Sequence, residues 1–280
     1  MTCRLCGGQT SPAGSRADLT LGRCGQCGFV SGFPVESTSA ERLYADYYHG
    51  AVLAAPAPEA RYTEWLERAE RELAKGRLLE VGAGSGGFVQ VALRRGWSVD
   101  ATEISSSGLA HLEATGARVF AGDLLDARYP DASFDLVVSL EVLEHLPAPG
   151  AHLREIARVL RPGGLLLLTT PNFNGLSRRL LGVRWRVIDP EHLGYFTPRT
   201  LAQALVSAGL RAPSVRARTL DVSTWRRAPA GGSVRFDPQR AAALRDGVNS
   251  SPLLRSAKEG LNVVLGVLRC GDSLLAWARR

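Results

Sequence analysis

The sequence predicts an α/β fold, a parallel sheet flanked by helices, with a small cysteine-rich module at the N-terminus. Three observations carry this: the run LLEVGAGSGGF at residues 78–88, the alternation of strand and helix patterns after it, and two CxxC pairs within the first thirty positions. In LLEVGAGSGGF a short apolar strand ends in Glu80. Gly82, Gly84, Gly86 and Gly87 follow, and FVQVALRRG then continues with helical spacing. Glycine admits positive φ and lets a ligand approach the main chain, and the helix start behind it offers unpaired N–H groups.

Each downstream element adds one functional group. A second strand, WSVDATEIS, ends in Glu103 and Ile104 about twenty residues beyond the loop, where an acid accepts from both hydroxyls of a ribose. A third short strand leads to Asp123 and Leu124 in FAGDLLD, placing an acid where an adenine amino group would arrive. The segment FDLVVSLEVLEHL is a buried fourth strand at 134–139, closing on Ser139 and running into Glu141, Glu144 and His145. In RVLRPGGLLLLTTPN a helix stops at Pro162, Gly163 and Gly164, and a fifth strand follows.

Taken in order, these segments resemble the class I S-adenosylmethionine-dependent methyltransferases over roughly residues 76–218. The resemblance implies a Rossmann-like seven-stranded sheet, order 3-2-1-4-5-7-6, with the last strand antiparallel. LRAPSVRARTL would be the sixth strand and GDSLLAWARR the seventh. It also implies S-adenosylmethionine as cofactor, held by Glu80, Gly82, Gly84, Gly86, Glu103, Ile104, Asp123, Leu124 and Ser139. A nicotinamide enzyme predicts neither Glu80 directly before the loop nor the EVLEH cluster after strand four. The run RRLLGVRWRVIDPEHLGYFTPRTLAQALVSAGL is similar to a lid and helix of the branch that includes ubiquinone-biosynthesis O-methyltransferases and many sugar and natural-product enzymes. A hydroxyl of a small molecule is therefore the favoured acceptor.

Glu141, Glu144 and His145 stand at i, i+3 and i+4, so a helix beginning there would put all three on one face. His192, in DPEHLGYFT, can return to the same mouth. One reading makes His145 or His192 a general base for the acceptor hydroxyl. In a second, Glu141, Glu144, His145 and His192 hold a divalent cation. That reading draws on resemblance, since an ExxEH cluster with a later histidine binds metal in small-RNA 2′-O-methyltransferases. A third leaves Glu141 and Glu144 bracing the cofactor loop. In the lid, Arg178, Arg179, Arg184, Trp185 and Arg186 suit an anionic acceptor or a solvated face equally.

The cysteines Cys3, Cys6, Cys24 and Cys27 form CRLC and CGQC, each followed by glycine, the spacing of a closed four-thiolate zinc site. Cys270 reads as a small buried residue. A similar ribbon occurs in a family of ribosomal RNA guanine methyltransferases. Its second knuckle usually ends in histidine, where this chain has Cys27. RNA methylation, and a non-catalytic binding protein of the same fold, are the alternatives.

The expected organisation is a ribbon at 1–33, a helical cap at 34–75 carrying Tyr44, Tyr47 and Tyr48, the core at 76–221, a partly helical insertion at 222–270 and a final strand at 271–280. Within the insertion, Leu261, Val264, Leu265 and Leu268 fall on one helical face. The formal net charge is +7, yet of 34 basic residues only Lys75 and Lys258 are lysine, and helices such as ERAERELAKGR balance arginine with glutamate. The charge thus reads as compositional bias rather than a nucleic-acid footprint. With no apolar run of about 18 residues and no apolar signal region, the expectation is a cytoplasmic monomer or homodimer. Its partner would be a small-molecule acceptor, with no nucleic acid and no membrane.

Overall fold

The computed structural model describes residues 1–35, 59–220 and 252–280. Tyr44, Tyr47 and Tyr48, the Ala/Pro connector at 51–58 and the stretch VSTWRRAPAGGSVRFDPQ lie outside the described residues. The N-terminal segment forms three antiparallel strands, β1 (Thr10–Arg16), β2 (Leu19–Cys24) and β3 (Val30–Pro34). Helix α1 (Glu59–Glu70) precedes the core, in which β4 (Arg77–Val81), α2 (Gly87–Arg94), β5 (Ser98–Glu103), α3 (Ser106–Glu113) and β6 (Arg118–Ala121) alternate. The second half runs β7 (Phe134–Leu140), α4 (Pro149–Val159), β8 (Leu160–Pro171), α5 (Leu176–Leu181) and β9 (Gly194–Tyr195). It closes with α6 (Pro198–Ser207), β10 (Arg211–Arg218), α7 (Pro252–Val267) and β11 (Ser273–Arg279).

Seven of the strands make one sheet in the order β6-β5-β4-β7-β8-β11-β10. The pairings from β6 to β8 are parallel, whereas β11 runs antiparallel to both β8 and β10. This is the expected order, with LRAPSVRARTL and GDSLLAWARR in their expected places. Central strands of such a sheet are covered on both faces and so read as continuous apolar runs. Leu78, Leu79, Leu136, Val137, Val138, Leu166, Leu167 and Leu168 are all fully buried. The Pro162–Gly163–Gly164 stop lies at the start of β8, where the register against β7 shifts between Phe134 and Leu136. The strand order reverses between the parallel neighbours β4 and β7: the chain leaves β4 for β5 and β6 on one side and leaves β7 for β8 on the other, and ligands of open α/β sheets bind at the carboxyl ends beside such a switch point.

The ribbon does not stand apart. Its strands form a second sheet, β1-β2-β3-β9, whose last member comes from the lid between β8 and α6. Leu19, Leu21 and Val30 share a buried cluster with Phe173, Trp185, Ile188 and Tyr195. Phe29, Cys3 and Cys24 join the main core instead, where Phe29 meets Phe196 at a ring-centroid distance of 4.7 Å.

Two local expectations change. No α-helix begins at the end of β7: Glu141 sits at φ +56°, and a single 3₁₀ turn, Leu143–His145, comes before α4. The helix face imagined for Glu141, Glu144 and His145 therefore does not form, and Glu141 is exposed while Glu144 is buried. In α7 and the turn beyond it, Leu265 is buried, but Leu261, Val264 and Leu268 are exposed, so the apolar stripe is split. Cys270 is buried as expected. No helix among the described residues is long and apolar enough to cross a membrane.

Trp185, the lid tryptophan, is 1 % exposed and packs beneath the ribbon. Replacing it with alanine removes the largest side chain that joins ribbon to lid. Trp185→Ala should cost about 3–5 kcal/mol of stability, read as a lowered urea midpoint at unchanged slope.

Candidate functional site

A cavity of about 250 Å³ opens at the carboxyl ends of β4, β5 and β7. Gly82, Glu103, Ile104, Asp123 and Leu124 line one side of it, and Glu141, Val142 and His145 the other. The glycine loop explains the first side. Gly82 has φ +67°, and a Cβ there would lie 2.7 Å from Val142 Cγ2, so a side chain would close the gap between the two halves. Gly84 donates its N–H to Glu103 Oε2 at 2.7 Å, and Ser105 N–H donates to Oε1 at 2.7 Å. Two main-chain donors thus fix the Glu103 carboxylate, and each oxygen keeps acceptor capacity. Gly86, at φ +76°, caps α2.

Glu80 and Ser139 are not among the lining residues. Ser139 is buried in β7, in register with Val81 and Leu168. Glu80 is buried, with no hydrogen-bond partner for Oε2 among the described residues. Burial, then the charge of Glu103, push its carboxyl well above the usual range, against a hydrogen bond from Val89 N–H.

Asp123 has a partner that sequence reasoning missed. The buried His152, on α4, approaches both carboxylate oxygens through Nε2 at 2.8 and 2.9 Å, and its Nδ1 lies 3.2 Å from Ala148 O. Burial raises the Asp123 pKa, but the hydrogen bonds from His152 and Leu125 N–H outweigh it and leave the carboxyl below its ordinary value. The available signal was a histidine on the buried face of an otherwise apolar amphipathic helix.

Opposite this rim, Glu144, His145 and His192 place one ligand atom each within 4.8 Å of one another. The two imidazoles meet at 4.5 Å with ring planes 75° apart. His145 Nδ1 faces Glu191 O at 3.1 Å and His192 Nδ1 faces Val187 O at 2.6 Å. Carbonyls only accept, so each Nδ1 carries the proton and each Nε2 keeps its lone pair. Burial, then the neighbouring His192, lower the His145 pKa to about 3, and burial lowers that of His192 to about 4. Glu144 accepts from Thr170 Oγ1 at 2.9 Å. Burial and the adjoining Glu141 carboxyl hold it well above the carboxylate range. Glu141 itself is not part of the three-residue cluster.

The four N-terminal cysteines also converge, with Sγ atoms within 4.8 Å of one another. Closest approaches are 3.4 Å for Cys6–Cys27, 3.5 Å for Cys6–Cys24 and 3.7 Å for Cys3–Cys27. A tetrahedron with Zn–S near 2.3 Å has edges of about 3.8 Å, so the set is the right size. Gly7 and Gly28 take φ of +77° and +73°, making the turns that aim N–H groups at sulfur. In the lid, none of Arg178, Arg179, Arg184, Trp185 or Arg186 lines the cavity. Arg178 instead stacks on Phe173 at 4.4 Å, with Arg23 of the ribbon at 5.8 Å from the same ring. Burial, then Arg23, lower the Arg178 pKa, and its Nε has no hydrogen-bond partner among the described residues.

Residues 57–215 match a family model described as a methyltransferase domain, more than half of the chain. A probable S-adenosylmethionine-dependent methyltransferase of Mycobacterium tuberculosis is 34% identical over 134 residues, 47% of each chain. A ubiquinone biosynthesis O-methyltransferase of Xanthomonas oryzae is 33% identical over 139 residues, 47% of this chain and 56% of that one. The matches thus span about half the length of these curated relatives. A crystal structure of a SAM-dependent methyltransferase from Archaeoglobus fulgidus shares the fold at TM-score 0.55 and 16% identity, covering 86% of this chain and all of that one. With a matching domain over the core, the expected strand order and a glycine loop facing Glu103 and Asp123, the chain belongs to the class I S-adenosylmethionine-dependent methyltransferases.

Proposed function

We propose that this protein transfers a methyl group from S-adenosylmethionine to a hydroxyl of a small molecule that also carries an anionic group. One observation carries the reading: a single cavity joins the acid-rimmed glycine loop to the side where His145 stands with Glu144 and His192. When bound, the cofactor supplies a methyl already activated by a positive sulfur, so the chain's task is alignment and charge placement. Glu103 accepts from the ribose hydroxyls and Asp123, held by His152, receives the adenine amino group between Ile104 and Leu124. Gly82 leaves the passage toward Val142 open. Glu80 and Ser139 support the loop and strand from beneath.

On the acceptor side, a divalent cation at Glu144, His145 and His192 fits better than a histidine base. Imidazoles lowered to about 3 and about 4 are weak acceptors of a hydroxyl proton, whereas two neutral Nε2 lone pairs beside the Glu144 carboxyl, which would give up its proton to a cation, suit Mn, Fe, Zn or Mg. A cation there would lower the pKa of the acceptor hydroxyl. Glu141, beside Glu144 on the cavity wall, would orient the acceptor or a metal-bound water. Arg178 of the lid and Arg23 of the ribbon, flanking Phe173, would take the anionic group, since neither has a carboxylate partner among the described residues. The four cysteines would hold a zinc ion with no open position, hence a structural one.

A screen with methyl-labelled S-adenosylmethionine against hydroxylated phosphates and carboxylates tests the reading. Transfer should appear with an added divalent metal and fall by at least about 10²-fold in Glu144→Gln; undiminished transfer by that variant overturns the metal assignment. Loss of the buried charge-assisted bond in His152→Ala should weaken S-adenosylhomocysteine binding about 10- to 100-fold by calorimetry. The two site imidazoles should stay neutral on acidification, because burial lowers both pKa values below the ordinary 6.5. Their Cε1–H resonances in the metal-free protein should therefore hold steady between pH 8 and about 5.

A further inference from the structure

We propose that the N-terminal ribbon is the positioning element of the lid, with β3 setting where His192 stands against His145. This rests on the reading that His192 belongs to the reaction centre. β9 is only two residues long, too short to define its own place, and among the described residues its partner in the ribbon sheet is β3. Val30 pairs with Tyr195 and Ser31 with Gly194, and Gly32 N–H donates to Leu193 O at 2.9 Å. His192 is the residue just before this contact. Its Nδ1 is bonded to Val187 O of the same lid, so the ring follows the lid backbone and a displaced lid carries Nε2 with it.

The two strands touch because two glycines face the junction. A Cβ on Gly32 would lie 2.7 Å from His192 O, and one on Gly194 would lie 2.8 Å from Phe29 Cζ. Phe29 is completely buried and packs on Phe196, while Phe173 N–H donates to Phe196 O on the far side. The cysteine knuckle sets the start of β3 directly: Cys24 N–H donates to Phe29 O at 2.9 Å and Gly28 N–H to Cys24 O at 3.0 Å. The chain of contact therefore runs from the thiolates through Phe29 and Gly32 to the His192 backbone. None of the residues in this relay touches the cofactor side of the cavity.

Gly32→Ala tests this with one methyl group. It inserts a Cβ against the His192 carbonyl, and Gly32 is not among the positive-φ positions, so the backbone tolerates alanine. Gly25→Ala, in the same ribbon but with open space around its Cβ, is the control. The readouts are the Cε1–H resonances of His145 and His192, assigned with His145→Gln and His192→Gln, together with S-adenosylhomocysteine affinity and Mn²⁺ affinity. Gly32→Ala should shift both resonances and weaken Mn²⁺ by at least about tenfold, with S-adenosylhomocysteine binding retained. Gly25→Ala should change none of them. Unmoved His192 resonances in Gly32→Ala overturn the proposal, as does a loss of S-adenosylhomocysteine binding equal to the loss of Mn²⁺. Absence of Mn²⁺ binding in the unaltered protein would remove the metal assignment alone, because the resonances report lid position without any metal.

Discussion

Carboxylates crowded at one end of a sheet must each find donors, a proton or a cation, because an unpaired buried charge costs several kcal/mol. That constraint organises this site. Glu80 stands one residue before the end of β4, β5 ends in Glu103, the loop after β6 bears Asp123, and the turn after β7 bears Glu144. Glu103 draws in the main-chain donors of Gly84 and Ser105, which ties the glycine loop to the start of α3. Asp123 draws in His152 and thereby anchors α4 across the cavity rim. Glu144 accepts from Thr170 Oγ1, and burial beside Glu141 holds it toward its neutral form. Glu80 has one oxygen without a partner among the described residues and is held toward its neutral form.

The lid solves a different problem, how a long connection between β8 and α6 acquires one conformation. Its own secondary structure is slight: a six-residue helix, a 3₁₀ turn and a two-residue strand. Order comes from outside, through a cluster in which ribbon residues Leu19, Leu21 and Val30 enclose Trp185, Ile188 and Tyr195. A ribbon this small has little core of its own, so the burial is mutual.

Legibility followed the reach of each interaction. LLEVGAGSGGF could be read because a strand, a glycine turn and a helix start lie within one short span, with Glu103 and Asp123 each at the end of a following strand pattern, and the strand order was what the family resemblance of these segments implied. The Cys3–Cys6 and Cys24–Cys27 pairs were equally local. His152 was not readable, since its partner lies 29 positions away and its helix looks like an ordinary amphipathic one. The i, i+3, i+4 spacing of Glu141, Glu144 and His145 suggested a helix, but Glu141 adopts a left-handed conformation. Glu144 and His145 still converge with His192 through the tertiary fold. Trp185 was grouped with the lid arginines beside an expected acceptor, and it serves the ribbon interface, which depends on a strand pairing between segments more than 160 positions apart.

Charge ties the two halves together. The net charge of +7 suggests a polyanion partner only if the arginines are free, and many are not. Arg77 and Arg118 converge on Asp100, Arg95 binds Glu70, and Arg158 binds Glu155. Such pairs set local geometry rather than long-range attraction, and the exposed ones add little stability. Arg178 and Arg23 differ because they repel one another across Phe173 with no carboxylate beside them among the described residues. Phe173 touches Tyr195, Tyr195 touches His192, and His192 touches His145. The aromatic series therefore links a cationic end, suited to an anionic substrate, with an acidic end, suited to a sulfonium and a divalent metal. A molecule spanning the two would meet the Arg178–Arg23 pair at one end and the Glu144 cluster at the other, so the lid carries a charge gradient along a single row of rings.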